Sequence, residues 1–206
     1  MDSKLRPELK PVKILDLRPT QITVGLREVA ERRRSWRNRS DKDTAQFLGR
    51  HMIPVIVGPG GHPYLIDNHH LARALYDAGV KNVLTLVVAD LRKLDLDAFW
   101  FVMENRGWVH PYDERGRRLS HEALASTVKG LRDDVFRSLA GELRRAGGYP
   151  KDTIPFAEFL WADFLRRRLK RKRVEKDFPR ALKEALKLAH SPVADYLPGW
   201  CGAVTE

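Results

Sequence analysis

The chain has 206 residues, of which 43% are hydrophobic and 32% are charged, so it can bury one substantial core or two small ones. Cys201 is the only cysteine, which excludes a disulfide framework and a cysteine-based metal cluster and argues against redox chemistry. The formal net charge of +11 favours a polyanionic partner, such as nucleic acid, acidic lipid or a phosphate-bearing ligand.

The N-terminal segment MDSKLRPELK lacks the apolar stretch of a signal peptide, and no apolar run approaches the roughly 20 residues of a membrane span. We therefore expect a cytoplasmic protein with no membrane partner. Residues 11–18 (PVKILDLR) alternate apolar and polar side chains, which predicts a half-buried strand. From Thr23, a candidate N-cap, the pattern predicts a polar helix, and Ser40 or Asp41 is expected to cap a second short helix.

Two strands, a helix and a further strand are predicted in the middle of the chain. The β-branched run Ile53–Val57 and the run PYLI after the GPGGHP loop predict a hairpin. Asp67 is then expected to open a helix that stops at Gly79, and Val83–Leu91 is expected to be a buried strand. This order of elements predicts one small α+β unit.

The second half of the chain is predicted to be helical from Asp97 onward. The helix-compatible segments include residues 120–131 (SHEALASTVKGL) and a long segment at residues 154–173 (IPFAEFLWADFLRRRLKRKR). Apolar side chains recur in the long segment at helical spacing, which predicts that they belong to the core. These side chains are Phe156, Phe159, Leu160, Phe164 and Leu165.

A long loop at residues 107–119 (GWVHPYDERGRRL) interrupts the helical half, and long ordered loops tend to carry function. Trp108, His110 and Asp113 are therefore candidates for a wall of a substrate pocket. The alternative is a surface connection that its aromatic side chains anchor to the core. Lys151, which follows the hinge-like sequence GGYP, is a fourth candidate that would close on a ligand, and a solvated loop is its alternative.

The sequence Asp-Asn-His-His at residues 67–70 permits three hypotheses. In the first, Asp67 only caps the helix. In the second, both histidines bind a metal ion, although adjacent residues on a helix point about 100° apart and cannot easily reach one ion. In the third, unpaired N–H groups at the helix start hold a phosphate, imidazoles add donors, and Mg²⁺ on Asp67 offsets the repulsion between two anions.

The stretches ILDLRPTQITVGLREVAERR (residues 14–33) and PYLIDNHHLARAL (residues 63–75) resemble the ParB/sulfiredoxin superfamily, in particular its ParB-like branch with an Asp-x-His-His motif. The resemblance implies an α+β fold in which a small mixed-sheet, ParB/sulfiredoxin-like, nucleotide-binding module at residues 1–96 precedes a helical portion at residues 97–206 packed against it. Members of the superfamily bind ATP or CTP at the helix start that carries this motif. Some members phosphorylate free serine, and others have been called nucleases.

The resemblance also implies roles for individual residues. Glu28, Asp67 and His70 become candidate catalytic groups, with Glu28 as a general base and Asp67 as a ligand of Mg²⁺. The implied nucleotide and phosphate contacts are Thr23, Gly25, Arg27, Asn68, His69, His70 and Arg73. ATP or ADP is the expected phosphate donor, with CTP as an alternative, and a small hydroxyl compound is the expected acceptor.

Two departures from the superfamily pattern limit what the resemblance implies. His69 stands where sulfiredoxin has its reactive cysteine, which excludes cysteine sulfinic acid reduction in its known form. Leu71 stands where an arginine follows in sulfiredoxin and in the serine kinases. Arg73 lies about 200° round the helix from that position, so another basic group, such as Arg27, must meet the phosphate charge.

We therefore expect a nucleotide-dependent phosphotransferase. The alternatives are a DNA-binding protein or nuclease of ParB type, and a nucleotide-gated switch without turnover. DNA would bind through two basic clusters, since clustered Lys and Arg release counterions on binding. The first cluster comprises Arg32, Arg33, Arg34, Arg37 and Arg39, and the second is the run Arg166–Arg173, which is alternatively a solvated helix end.

Overall fold

The computed structural model describes residues 9–38 and 40–202, and it has an α+β architecture within these ranges. The strands are β1 (Leu9–Lys13), β2 (Arg18–Pro19), β3 (Thr23–Val24), β4 (Ile53–Val57), β5 (Pro63–Leu65), β6 (Asn82–Asp90) and β7 (Arg132–Asp133). The helices are α1 (Leu26–Arg37), α2 (Asp41–Arg50), α3 (His69–Asp77), α4 (Leu96–Asn105), α5 (Val135–Arg145), α6 (Ala157–Arg168), α7 (Arg171–Lys176) and α8 (Phe178–Ala189). None of these helices is long and apolar enough to cross a membrane.

Residue contacts divide the chain into two compact units that interleave along the sequence. Unit 1 comprises the described residues of Met1–Ile22, Val29–Pro111 and Arg118–Leu131. Unit 2 comprises those of Thr23–Glu28, Tyr112–Arg117 and Arg132–Glu206. The domain boundary that we predicted between residues 96 and 97 stays a prediction.

Unit 1 is built around a five-stranded mixed sheet in the order β1-β6-β4-β5-β2. The β1–β6 and β4–β5 pairs are antiparallel, and the β4–β6 and β2–β5 pairs are parallel. The predicted hairpin is therefore confirmed, with Val55 opposite Leu65 and both side chains buried. Since β5 ends at Leu65 and α3 begins at His69, the sheet determines where that helix starts.

The strand predicted at residues 11–18 is shorter than expected. β1 ends at Lys13, and a single 3-10 turn over Ile14–Asp16 precedes β2. Ile14 and Leu17 are both buried, and a spacing of three residues brings side chains to the same side of a 3-10 turn. The apolar pattern here therefore reflects a turn, which sequence alternation alone did not distinguish from a strand.

Thr23 is not a helix N-cap, as we had predicted. It lies in β3 of unit 2, where it pairs with Arg132 of β7 in parallel, and α1 begins only at Leu26. The predicted cap of α2 is confirmed, because the hydroxyl of Ser40 accepts a hydrogen bond from the N–H of Asp43 at 3.2 Å.

The core of unit 2 lies among α5, α6 and α8. Trp161 is fully buried, and its ring stacks on Tyr149 with centroids 4.4 Å apart. The phenol of Tyr149 donates a hydrogen bond to the carbonyl of Ala140 at 2.9 Å. Ala185 of α8 is also fully buried, so a small side chain allows α8 to pack closely in this core.

Two segments in the second half contain less helix than we predicted. Residues 120–131 contain only the 3-10 turns His121–Ala123 and Val128–Gly130 within an irregular segment. The helix predicted at residues 154–173 is divided into α6 and α7, since Leu169 is extended at φ −115° and ψ 139°. The side chain of Leu169 is buried, so burial at this position occurs outside a helix.

Three of the five apolar side chains that we had assigned to the core of this segment are not buried. Phe164 and Leu165 are buried as predicted. Phe156 precedes α6 and, like Phe159, is only half-buried, while Leu160 is 48% exposed. Trp161 occupies the core instead, one position further along the helix.

Candidate functional site

The turn before α3 has an unusual backbone conformation. Asn68 is the N-cap and adopts the left-handed conformation at φ 63° and ψ 26°, which asparagine tolerates better than most side chains. Its side chain does not cap the helix, and its Nδ2 donates to the carbonyl of Met52 at 3.3 Å. The first N–H groups of a helix have no intrahelical partner and lie at the positive end of its dipole.

Asp67 is not the N-cap of α3, as the first of the three hypotheses for this turn had proposed. The left-handed Asn68 stands between Asp67 and the helix, and the Asp67 carboxylate accepts from the N–H of Asn68 at 2.6 Å. The Asp67 side chain is exposed. The Asp67 carboxylate is therefore accessible to a ligand from solvent. A carboxylate that capped α3 would be less accessible.

His69 is held by Thr20, a residue that the sequence analysis did not single out. The buried Nε2 of His69 accepts from the N–H of Thr20 at 3.2 Å, and the hydroxyl of Thr20 donates to the carbonyl of Leu65 at 2.8 Å. Because Nε2 accepts, the neutral ring carries its proton on Nδ1. One ring nitrogen of His69 is therefore already occupied by a hydrogen bond within the protein. This argues further against a metal site formed by both histidines.

His70 and Arg73 complete the predicted group on α3. His70 lies in the first turn of α3 and is 8% exposed. The guanidinium of Arg73 pairs with Asp77 at 3.0 Å and donates to the carbonyl of Leu131 at 2.5 Å. These contacts fasten α3 to the segment around Leu131, and the predicted role of Arg73 in phosphate binding stays a prediction.

A divalent cation would find one exposed carboxylate at this turn. Among the described residues, no group of three or more His, Cys, Asp and Glu side chains is placed to hold a metal ion. Mg²⁺ is commonly held by one or two carboxylates together with substrate phosphates, so Asp67 fits an ion that arrives with a nucleotide. Such an ion would neutralise phosphate charge.

The start of α1 is held by unit 2 itself. The carboxylate of Asp133 accepts from the N–H of Leu26 at 2.9 Å, and the hydroxyl of Ser138 accepts from the N–H of Arg27 at 3.4 Å. A Cβ on Gly25 would lie 2.8 Å from the backbone nitrogen of Ser138. Close packing against Ser138 is therefore enough to explain why residue 25 is a glycine.

Packing within the protein also explains the positions of the other two residues near α1 that were predicted to contact phosphate. Thr23 is 1% exposed, and its backbone pairs in the small parallel sheet. The exposed guanidinium of Arg27 lies 3.9 Å from the ring centroid of Phe178. Phosphate binding by Thr23, Gly25 and Arg27 stays a prediction, and packing already explains where each of them lies.

Glu28, the predicted general base, lies in a partly buried charged cluster of unit 2. It is 9% exposed. In this cluster Glu158 pairs with Arg137 and, at 2.8 Å, with Arg144. Burial raises the pKa of the Tyr149 hydroxyl, and the negative charges of Glu158 and Glu28 raise it further. Sequence reasoning missed the cluster, because its members come from α1, α5 and α6.

The four predicted pocket residues are divided between the two units. Trp108 and His110 belong to unit 1, whereas Asp113 and Lys151 belong to unit 2. Trp108 packs half-buried against an apolar cluster, as the surface-connection alternative proposed. The N–H of His110 donates to the carbonyl of Thr20 at 2.8 Å, so His110 lies beside the residue that holds His69. Lys151 is exposed.

Asp113 stabilises its own turn. Its carboxylate accepts from the N–H groups of Arg115 and Arg117, at 2.9 Å and 2.8 Å, and pairs with the Arg117 guanidinium. Burial alone would raise the pKa of Asp113, but the hydrogen bonds from Arg117 and Arg115 outweigh burial and lower it. The carboxylate is therefore ionised and engaged with the backbone at neutral pH.

The second basic cluster is largely paired within unit 2. Arg166 contacts Asp134 at 2.5 Å, and Arg167 contacts Asp163 at 2.7 Å. Arg171 pairs with Glu175 four residues along α7, as exposed neighbours do on a helix surface, and Arg173 pairs with Glu184 of α8. In the first cluster Arg39 lies outside the described residues, and Arg32, Arg33, Arg34 and Arg37 lie on α1.

The sequence profile of a family described as "putative ParB-like nuclease" matches residues 10–167. Among solved structures, the chain is similar to the crystal structure of protein Atu1540 from Agrobacterium tumefaciens, with 50% identity and a TM-score of 0.91 over 97% of this chain and 99% of that chain. No curated protein matches. The shared fold confirms the predicted α+β class with a helical C-terminal portion.

Proposed function

The chain belongs to the ParB-like nuclease family, and from this premise we propose that it binds nucleotide phosphates at the start of α3 and transfers phosphate from ATP or ADP to a small hydroxyl compound. CTP is the alternative nucleotide. The observation that carries the proposal is the start of α3, where the N-cap residue Asn68 adopts the left-handed conformation and its own side chain does not cap the helix. A helix start of this kind favours an anion.

The side chains around this turn have complementary tasks in the proposal. Asp67 is exposed and holds Mg²⁺ together with the phosphates. His69 is held by the hydrogen bond from Thr20, which keeps the turn in place. His70, buried in the first helical turn, offers a ring N–H as a donor to the phosphate. Glu28 stays the candidate general base that the resemblance implies.

The experiment that tests nucleotide binding is thermal unfolding with ATP, ADP or CTP, each with and without Mg²⁺. A nucleotide at about 100 times its Kd stabilises a protein by about 2.7 kcal/mol, which is a measurable rise in Tm. We expect this rise in the wild type with Mg²⁺. We expect it to be absent in His70→Ala and in Asp67→Asn.

Matched variants control for general effects on folding. His62→Ala removes an exposed imidazole, and Asp97→Asn removes an exposed carboxylate from the first turn of α4. Both are expected to keep the full nucleotide-induced rise in Tm. A wild type whose Tm does not respond to any of the three nucleotides would refute the proposal.

A second candidate function is binding or cleavage of nucleic acid, which the family description and the surface of α8 favour. Arg180, Lys183 and Lys187 are exposed and lie within about 60° of one another around the helix. The buried positions of α8 are alanines: Ala181, Ala185 and Ala189. Such a stripe can follow a phosphate backbone.

Titration with duplex DNA at about 150 mM salt separates the two functions, because non-specific basic proteins bind DNA only at about 10⁻⁴ to 10⁻⁶ M under such conditions. Sub-micromolar affinity that is lost in Lys183→Glu/Lys187→Glu, without nucleotide binding, would favour the second candidate. Nucleotide binding without labelled product from any acceptor would instead indicate a switch.

A further inference from the structure

The pairing between β4 and β5 continues beyond the two strands and brings the end of α2 to the start of α3. The N–H of Ile66 donates to the carbonyl of Pro54 at 3.1 Å, and Nδ2 of Asn68 donates to the carbonyl of Met52 at 3.3 Å. His51 precedes Met52, and consecutive Cα atoms are about 3.8 Å apart, so His51 lies beside the turn that we assign to the nucleotide phosphates. All of these residues belong to unit 1.

The imidazole of His51 is held against the last turn of α2. His51 is the C-cap of this helix, and its backbone N–H donates to the carbonyl of Phe47 at 2.9 Å. The ring Nδ1 lies 3.0 Å from the same carbonyl, and because a carbonyl only accepts, Nδ1 carries the ring proton. The rings of His51 and Phe47 stack with centroids 3.9 Å apart and planes inclined by 16°. The orientation of the imidazole is therefore set before any ligand binds.

One face of this imidazole is covered by Phe47, and His51 as a whole is exposed. Phe47 is in turn supported by Trp36, which meets it edge-on with centroids 5.8 Å apart, and both of these rings are half-buried. Within residues 9–38 and 40–202, Phe47 is the only ring in contact with His51. A fixed aromatic face at the surface can therefore accept a second ring in an offset stack.

A nucleotide matches this arrangement, because its base is separated from its phosphates by a single sugar. Nucleobases stack on exposed aromatic side chains, histidine among them. Stacking does not read the edge of the base, since every base has a π-face. An aromatic face beside a phosphate-binding turn therefore suits the two ends of one ligand and does not distinguish adenine from cytosine.

We infer that the base of the nucleotide stacks on the exposed face of His51 while its phosphates bind at the start of α3. This inference rests on the proposed nucleotide binding and adds the residue that receives the base. It also defines the class of ligand as a nucleotide with either a purine or a pyrimidine base. ATP and CTP then bind alike, and a phosphate chain without a base binds more weakly.

The first test measures the Kd of ATP, CTP and inorganic tripolyphosphate by calorimetry with Mg²⁺ present. Tripolyphosphate has the phosphate chain of a nucleotide without its base, so the difference in Kd reports what the nucleoside contributes. We expect ATP and CTP to bind with similar affinity and about ten-fold or more tightly than tripolyphosphate, the size of one base–aromatic stack. Equal Kd values for ATP and tripolyphosphate would overturn the inference and leave phosphate binding at α3 standing.

The second test uses His51→Gln and His51→Phe to separate stacking from hydrogen bonding. His51→Gln removes the ring, and we expect it to bind ATP about ten-fold more weakly while tripolyphosphate binds as in the wild type. His51→Phe keeps a ring without nitrogens, and we expect it to bind ATP nearly as the wild type does. His62→Gln, which removes an exposed imidazole just before β5, should change neither Kd. If His51→Gln weakened both ligands equally, His51 would contact the phosphates and the inference would be wrong.

Nuclear magnetic resonance of the wild type reads the contact directly. We expect the ring protons of His51 to shift upfield when ATP binds, because they then lie over the base, and to keep their positions when tripolyphosphate binds. The ring protons of His62 should respond to neither ligand. Unchanged His51 signals in the ATP complex would refute stacking alone. A wild type that binds neither ATP nor tripolyphosphate would refute the proposed function together with this inference.

Discussion

Gly25→Ala is expected to destabilise the protein by about 3 kcal/mol. A Cβ at this position would lie 2.8 Å from the backbone nitrogen and 2.9 Å from the Cα of Ser138, so the backbone of α5 would have to move. That movement would also disturb the bonds from the start of α1 to Asp133 and Ser138. Urea unfolding gives the change in the free energy of unfolding.

Gly49→Ala is the matched control for this substitution, because it adds a methyl group to a glycine with open space around it. We expect it to be neutral or to stabilise by up to about 1 kcal/mol. If Gly25→Ala were as stable as the wild type, Gly25 could not lie in the close contact with Ser138 described here.

Glu28→Gln is expected to lower the rate of phosphate transfer by about 10²- to 10⁴-fold, the usual contribution of a general base. The amide has nearly the same shape as the carboxylate but cannot take up the acceptor proton. Nucleotide binding should persist, because the phosphates are assigned to α3. The measurement is the turnover of labelled ATP, with the nucleotide-induced rise in Tm recorded in parallel.

Glu142→Gln serves as the control, since this carboxylate lies on α5 and pairs only with the exposed Arg145 among the contacts described for it. Its turnover should equal that of the wild type. A rate in Glu28→Gln close to the wild-type rate would remove Glu28 from the chemistry.

Elements with a clear local signal were predictable from the sequence. The hairpin formed by β4 and β5 was predicted because a β-branched run is flanked by Gly and Pro. The end of α3 was predicted from Gly79, which follows the helix at φ 87°. Both signals act over a few residues, so they can be read locally.

Features that depend on distant partners were not predictable in this way. The pairing of β3 with β7 involves strands of two residues each, which are too short to show a period. Asp133 caps α1 from 107 residues away, and Thr20 holds His69 from 49 residues away. The charged cluster around Arg137 likewise exists only once α5 and α6 have packed together.

The most direct test of phosphate binding is a crystal structure of the wild type with a nonhydrolysable ATP analogue and Mg²⁺. We predict that phosphate oxygens accept hydrogen bonds from the N–H groups in the first turn of α3 and that the carboxylate of Asp67 contacts the metal ion. A nucleotide bound elsewhere, with the first turn of α3 covered by protein, would contradict the account.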